Sequence, residues 1–87
     1  MKLIFTEPAA KAIKKLPPTV ARRIITKMQW FAAQTNPITF AKPLKDRRFG
    51  SHRFRIGAYR VLVDIEKREI SVLVVLAVKH RRDAYNV

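Results

Sequence analysis

Apolar residues repeat with a helical period in the first half of the chain and with a strand period in the second half. Between Thr19 and Gln34 they lie three or four residues apart, on one face of a helix. This stripe consists of Val20, Ile24, Met28 and Phe31. From residue 52 onward, "HRFRI" alternates basic with apolar residues, as half-buried strands do. The pattern predicts a helix from Thr19 to Gln34, a loop over residues 37–50, and strands thereafter.

A short strand and another helix are predicted before this stripe. "KLIFT", residues 2–6, has the composition of a strand. Thr6 suits the N-cap of a helix that we expect from about Pro8 to Leu16. Pro17 and Pro18 end that helix, because proline cannot continue a helix and disfavours helical geometry in the residue before it. The two helices are therefore expected to form a hairpin.

Three strands are predicted after the loop. "HRFRI" joins "YRVLVDIE" through a turn at Gly57-Ala58, and Lys67-Arg68 is expected to form a second two-residue turn. "EISVLVVLAV", residues 69–78, is apolar on both faces along most of its length, which is typical of a central strand. The predicted order is β-α-α-β-β-β, an α+β fold in which a helical hairpin packs on a small, mainly antiparallel sheet.

Charge is the most informative feature of the composition. Nineteen Lys and Arg residues against six Asp and Glu residues give a formal net charge of +13. This favours a polyanionic partner, with nucleic acid first, although an acidic protein or an anionic membrane surface would also be attracted. The 87 residues suffice for one domain, 1–87, and no apolar run approaches the roughly 20 residues that span a bilayer. We therefore expect a soluble protein, and the lack of cysteine fits a cytoplasmic one.

The first hairpin is predicted to bring arginines together. With Gly57-Ala58 as a two-residue turn, Arg55 lies directly opposite Arg60, and Arg53 shares their face. Like charges that face each other destabilise a sheet by roughly 0.2–1 kcal/mol. A bound phosphate would offset this repulsion, because guanidinium groups hold phosphate oxygens bidentately. The alternative is that these arginines are solvated on an open face of the sheet.

The segment after the central strand supplies further cations. It contains Lys79, His80, Arg81 and Arg82 in a row, and the predicted second turn places Arg60 opposite Val75, a few residues short of them. The cationic surface is expected to include Arg53, Arg55, Arg60 and Arg81, together with Lys79. Such a surface can stabilise the extra negative charge of a pentacoordinate phosphate, so it is suited to catalysis as well as to binding.

His80 and Tyr85 are the candidates for proton transfer. Histidine is the commonest general acid or base, and cations beside a tyrosine favour its phenolate. RNA carries its own nucleophile, the 2′-OH, so its cleavage needs a base, an acid and cations around the phosphate. The alternatives are that Tyr85 packs on the core and that His80 has a positioning role. Trp30 and the phenylalanines at helical or alternating positions are expected in the core.

Several other site chemistries lack their motifs. The six carboxylates show no grouping suited to a metal-dependent nuclease, and the two histidines are too far apart in sequence for zinc-site spacing. Gly50 and Gly57 are the only glycines, so the sequence has no glycine-rich phosphate loop. We therefore expect neither a metal nor a cofactor.

Three segments resemble the RelE/ParE superfamily of type II toxin-antitoxin toxins, and more closely its RelE branch. "KAIKKLPPTVARRI" resembles the two helices of the family and the break between them. "RFRIGAYRVLVDIE" resembles the family's basic-apolar hairpin, and "VLAVKHRRDAY" resembles its closing strand and H-R-x-x-x-Y tail. The resemblance covers nearly the whole chain. It implies a single RelE-like toxin domain, 1–87, with the RelE-like microbial RNase toxin fold.

The activity that the resemblance implies is that of a metal-independent mRNA interferase. Such an enzyme enters the ribosomal A site and cuts the codon there by 2′-OH attack on the adjacent phosphate. The catalytic residues expected from the tail and the hairpin are Arg60, His80, Arg81 and Tyr85. The residues expected to contact RNA phosphates are Arg53, Arg55, Lys79, Arg82 and Lys45. The best-known members have lysine at the positions of Arg53 and Arg55, and arginine cannot transfer a proton there because guanidinium does not deprotonate.

The resemblance also implies partners. They are a RelB-like antitoxin whose acidic or amphipathic segment covers the basic surface, the ribosome with its rRNA, and mRNA. Operator DNA is expected to be contacted only through the antitoxin complex. Two other functions are compatible with the sequence, namely ParE-like inhibition of DNA gyrase and a non-catalytic nucleic-acid-binding module. The presence of His80, Arg81 and Tyr85 argues against the gyrase branch.

Overall fold

The computed structural model describes residues 1–84, in which two helices cover one face of a five-stranded sheet. The strands are β1 (Lys2–Phe5), β2 (Lys42–Pro43), β3 (His52–Ile56), β4 (Tyr59–Glu66) and β5 (Val72–His80). The α-helices are α1 (Glu7–Lys14), α2 (Pro18–Ala33) and the single-turn α3 (Arg81–Ala84). Within these residues, no helix is long and apolar enough to cross a membrane. The predicted α+β fold is confirmed.

The sheet has the order β1-β5-β4-β3-β2. β1 runs parallel to β5, and the other three pairs are antiparallel. The sheet is therefore mainly antiparallel, as predicted. β5 pairs with a strand on each side, and Leu73 and Val75 are fully buried, so it is the central strand that its apolar sequence indicates.

The helices begin and end close to the predicted residues. Thr6 caps α1, because its side-chain Oγ1 accepts a hydrogen bond of 3.3 Å from the backbone N–H of Ala9. Pro17 and Pro18 separate α1 from α2, and Pro18 is the first residue of α2. The observed bounds differ from the predicted ones by one or two residues, which is the usual uncertainty at frayed helix ends.

The core lies between α2 and the sheet. Phe54 of β3 is fully buried and stacks on Phe31 of α2, with ring centroids 4.7 Å apart. Ile24 and Met28 of the predicted stripe are also buried against the sheet. Trp30 lies off that stripe and is 45% exposed, so the expectation that it belongs to the core is wrong.

The predicted loop over residues 37–50 contains structure that the sequence pattern does not reveal. Two 3-10 turns, Pro37–Phe40 and Arg47–Phe49, flank the edge strand β2. The Leu44 N–H donates to the Ser51 carbonyl, and the Ser51 N–H donates to the Val63 carbonyl of β4, both at 2.9 Å. A two-residue strand is too short for alternation to be visible in the sequence, so the pattern predicts a loop there.

The predicted turn between β4 and β5 is wrong. Residues 67–71 connect the two strands, instead of Lys67-Arg68 alone, and an ion pair between Arg68 and Glu66 lies at this turn. The longer connection shifts the register of β5. Arg60 is consequently opposite Lys79, and not opposite Val75.

A β-bulge in β5 completes this shift. Val63 pairs with Val75 and Leu62 pairs with Ala77, so Leu76 is an extra residue without a partner on β4. Because side chains alternate along a strand, one extra residue exchanges the two faces beyond it. Val75 packs on the helix side before the bulge, and Val78 packs on the same side after it. Lys79 therefore lies on the face that points away from the helices.

Candidate phosphate-binding site

Cationic side chains lie next to one another on the sheet face that points away from the helices. Arg55 is paired with Arg60, as predicted from the two-residue turn, and Arg60 is paired on its other side with Lys79. Arg53 shares this face and is paired with Lys42 of β2. The chain thus places like charges directly opposite one another on neighbouring strands, an arrangement that destabilises the unliganded sheet.

Four of these cations, all except Lys79, line a small pocket of about 160 Å³. Its lining residues are Phe40, Lys42, Arg53, Arg55 and Arg60. Pockets for drug-sized ligands are larger, roughly 300–1,000 Å³, so this one suits a compact anion such as a phosphate group. Among the described residues, none of those that line the pocket is acidic. An anion entering the pocket would meet guanidinium and ammonium donors.

Arg60 lies at the centre of this charge distribution. Its Nη1 donates hydrogen bonds of 3.1 Å to the carbonyls of Gly57 and Tyr59, which hold the guanidinium near the hairpin turn. Burial is the largest of the causes that lower the pKa of Arg60 below its ordinary value. The charges that lower it further are those of Arg55, Arg53 and Arg81. A bound phosphate would reverse this effect by stabilising the charged guanidinium.

Arg81 reaches the same region from the end of β5. Its backbone N–H donates to the carbonyl of Ala58 at 2.6 Å, so the start of α3 is held against the β3–β4 turn. The Arg81 side chain is exposed, and its charge acts on Arg60. Arg82 is also exposed, in the next position of α3.

His80 lies on the other face of the sheet from Lys79. It is paired with Tyr59, which packs on the core, and the two rings meet edge to face with centroids 5.4 Å apart. Its Nδ1 accepts a hydrogen bond of 3.3 Å from the backbone N–H of Arg82. This bond ties the imidazole to the first turn of α3. His80 is therefore not among the residues that line the pocket, and its predicted catalytic role stays a prediction.

The remaining predicted site residues lie elsewhere. Lys45 is exposed beyond β2 and is not among the residues that line the pocket. Tyr85 lies outside the described residues, so its predicted role stays a prediction.

Sequence reasoning missed two residues of the pocket, Lys42 and Phe40. Both belong to the segment that was predicted as a loop, and they reach the site because β2 pairs with β3. The basic character of this segment is its one sequence feature that indicates a place in the site. Residues 1–84 contain no group of three or more His, Cys, Asp or Glu side chains with the arrangement to hold a metal ion.

The charge pairing predicts that removing Arg55 will stabilise the protein. We expect Arg55→Thr to raise the free energy of unfolding by about 0.5 kcal/mol at low salt, because threonine suits a strand and the repulsion with Arg60 is relieved. Urea denaturation followed by circular dichroism measures this. Lys2→Thr is the matched control, since Lys2 is an exposed strand cation opposite Val72. An equal gain in both variants would show that net charge, and not the arginine pair, is responsible.

Nearly the whole chain is similar to known toxins. The family described as "ParE toxin of type II toxin-antitoxin system, parDE" matches residues 3–85. Toxin RelG of Mycobacterium tuberculosis (strain ATCC 25618 / H37Rv) is 32% identical over 81 residues, which are 93% of this chain and 91% of RelG.

Two solved complexes contain chains with a similar fold. One is the crystal structure of the toxin-antitoxin complex RelBE2 from M. tuberculosis, with a TM-score of 0.73 and 30% identity over 92% of this chain and 96% of that chain. The other is the RelB-RelE antitoxin-toxin complex from Methanococcus jannaschii, with a TM-score of 0.64 and 19% identity over 95% of each chain. The second match concerns the fold alone.

Proposed function

Because this chain belongs to the RelE/ParE family of toxins from type II toxin-antitoxin systems, we propose that it is a ribosome-dependent endoribonuclease. Its substrate is the mRNA codon in the ribosomal A site, and the consequence of cleavage is arrest of translation. The proposal treats residues 1–87 as a single toxin domain that acts in the cytoplasm without a metal or a cofactor.

The observation that carries this proposal is the cationic pocket on the open face of the sheet. Arg60 has a like charge paired with it on each side, Arg55 on β3 and Lys79 on β5. A surface with only a structural role gains nothing from such pairing. A phosphate does, because guanidinium and ammonium donors in fixed positions stabilise the charge that develops as the phosphorus becomes pentacoordinate.

The reaction is an internal displacement at phosphorus. The 2′-oxygen of one nucleotide forms a bond to the adjacent phosphorus, and the bond from that phosphorus to the 5′-oxygen of the next nucleotide breaks. A base takes the proton from the 2′-OH, and an acid gives a proton to the departing 5′-oxygen. The products are a 2′,3′-cyclic phosphate and a 5′-hydroxyl end.

In this reaction the arginines supply charge and not protons. Arg60 and Arg81 stabilise the phosphate, and Arg53 and Arg55 hold it, because guanidinium stays protonated at physiological pH. Lys79 and Arg82 contact neighbouring phosphates. Proton transfer falls to Tyr85 or His80. The contacts of His80 with Tyr59 and with the backbone of α3 favour a positioning role for the imidazole, which moves the proposal for proton transfer toward Tyr85.

The proposed partners follow from the charge and from the relatives. The two similar structures are complexes with RelB antitoxins. We propose that a RelB-like antitoxin with an acidic or amphipathic segment covers this +13 surface and blocks the ribosome from it. Operator DNA is contacted by the antitoxin within that complex.

Mapping of mRNA ends during expression tests the proposed activity. When the protein is expressed without its antitoxin, primer extension should show new cuts within codons, and these should disappear when translation of the reporter is blocked by removing its start codon. Inhibition of DNA gyrase is the second candidate, because the matching family description names ParE. Intact mRNA together with accumulating DNA breaks would reject the endoribonuclease and favour gyrase.

A further inference from the structure

An exposed aromatic pair lies beside the cationic pocket. Phe40 is 46% exposed and Trp30 is 45% exposed, and their ring centroids are 5.2 Å apart. Phe40 is also one of the residues that line the pocket, together with the cations of β2, β3 and β4. A single exposed apolar side chain is ordinary, but two adjoining exposed aromatic rings form a contiguous patch, and such patches mark sites of interaction.

The Phe40 ring is held in place from behind. Its backbone belongs to the 3-10 turn Pro37–Phe40, in which the Ala41 N–H donates to the Ile38 carbonyl at 3.0 Å. The ring leans on Phe31, with centroids 5.5 Å apart and planes inclined at 38°. Phe31 in turn stacks on the buried Phe54. Phe40 is thus the outermost ring of an aromatic series that is anchored in the core.

Trp30 is less suited to contact a ligand with its face. The ammonium of Lys27 lies 4.6 Å from the centroid of the Trp30 ring, in a cation-π contact. The ring planes of Trp30 and Phe40 meet at 73°, so Trp30 supports Phe40 through an edge contact. Of the two exposed rings, Phe40 is the one that adjoins the pocket cations.

We propose that Phe40 stacks a nucleobase of single-stranded RNA whose phosphate lies in the cationic pocket. This inference rests on the proposed function and extends it by naming a contact to the base. Arginines and Lys42 hold the phosphate, and a neighbouring base then lies over the phenylalanine ring. Alternation of cationic and aromatic groups is the general way in which proteins bind single strands without reading their sequence.

The chemistry of the pocket favours RNA over a protein as the occupant of this corner. The residues around Phe40 in the pocket are one lysine and three arginines, which suit the closely spaced phosphates of a nucleic acid strand. A protein segment docked here would bury several cations at once and would have to supply carboxylates to neutralise them. Docking of the antitoxin on Phe40 is therefore the competing outcome of the test.

The test compares Phe40→Leu with the wild type in binding two fluorescent oligonucleotides. One is a 2′-O-methyl RNA hexamer, which cannot be cleaved, and the other is a ribose-phosphate hexamer of the same length without bases. Leucine keeps the apolar bulk and removes the ring. We expect the variant to bind the base-containing hexamer roughly tenfold more weakly and the base-free hexamer equally well, since stacking contributes about 1–3 kcal/mol per base. Phe40→Trp should restore binding.

The salt dependence of binding distinguishes base stacking by Phe40 from phosphate binding in the pocket. Phe40→Leu should leave the slope of log affinity against log salt unchanged, whereas Arg55→Thr should reduce it, because only the second variant removes a phosphate contact. If Phe40→Leu binds both hexamers like the wild type, or weakens only the antitoxin complex, the stacking inference is overturned while the phosphate pocket stands. If the wild type binds neither hexamer in a salt-dependent manner, the proposed function itself is overturned.

Discussion

Replacing Arg60 with alanine is expected to lower the rate of single-turnover mRNA cleavage on programmed ribosomes by about 100- to 1,000-fold, the usual effect of removing one group that stabilises transition-state charge. Arg60 has more cationic neighbours than a single strand pair provides. It is paired with Arg55 and with Lys79, and the charge of Arg81 contributes to lowering its pKa. The fold should remain intact. The variant loses two hydrogen bonds to backbone carbonyls, but it also loses the repulsion from its neighbours.

Arg68→Ala is the matched control for this prediction. It removes the same charge from the β4–β5 connection, where Arg68 is paired with Glu66 away from the pocket. We expect it to cleave at nearly the wild-type rate. Arg60→Lys should recover part of the activity, because lysine retains the charge but not the bidentate geometry. Wild-type cleavage by Arg60→Ala, in a variant with an unchanged circular dichroism spectrum, would remove the pocket from the mechanism.

The second large effect is expected for stability, at Gly50. The backbone of Gly50 has φ 126° and ψ −175°, a region that only glycine occupies readily. A Cβ at this position would lie 2.6 Å from the carbonyl oxygen of Val63, which already accepts the hydrogen bond from Ser51. We expect Gly50→Ala to lower the free energy of unfolding by about 3 kcal/mol, measured by urea denaturation. Because residues 41–51 carry Lys42, the variant should also weaken anion binding.

Gly57 provides the comparison. It has φ 57°, the left-handed helical region, and an alanine there costs roughly 1–2 kcal/mol. The nearest atoms to a Cβ at Gly57 belong to the guanidinium of Arg23, a flexible side chain that can move aside, whereas those at Gly50 include backbone. Gly57→Ala should therefore be the milder of the two substitutions. Equal losses of stability would mean that the close approach of Gly50 to β4 is not the reason why glycine is required at this position.

The sequence predicts the arrangement of the arginines on β3 and β4, because that arrangement depends on local interactions. A two-residue turn at Gly57-Ala58 determines every pairing between β3 and β4, so the placement of Arg55 opposite Arg60 follows from counting. The alternating pattern of "HRFRI" assigns the arginines to one face. The helices are predictable for a similar reason, since a threonine cap and two prolines mark their ends within the sequence itself.

The positions of Lys79 and Phe40 depend on features that leave no local signal in the sequence. The run from residue 72 to 78 is apolar throughout, so a shift of register in β5 does not change the pattern of polar and apolar residues. For this reason neither the longer β4–β5 connection nor the extra residue at Leu76 is visible in the sequence. The place of Phe40 beside the pocket is hidden likewise, because it depends on pairing by a strand of two residues.

The bulge at Leu76 decides which side chains at the end of β5 lie on the same face of the sheet as the arginines. If β5 kept all its residues but paired regularly, Leu76 would lie opposite Leu62, and His80 would share the face of the arginines while Lys79 faced the helices. A relative with the same number of residues in this strand but no bulge would therefore present an imidazole on the face where this chain presents an ammonium. Sequence alignment of such tails, however well it matches the letters, pairs side chains that lie on opposite faces. Site residues in this family should accordingly be compared by strand register, counted from the last pair before the bulge.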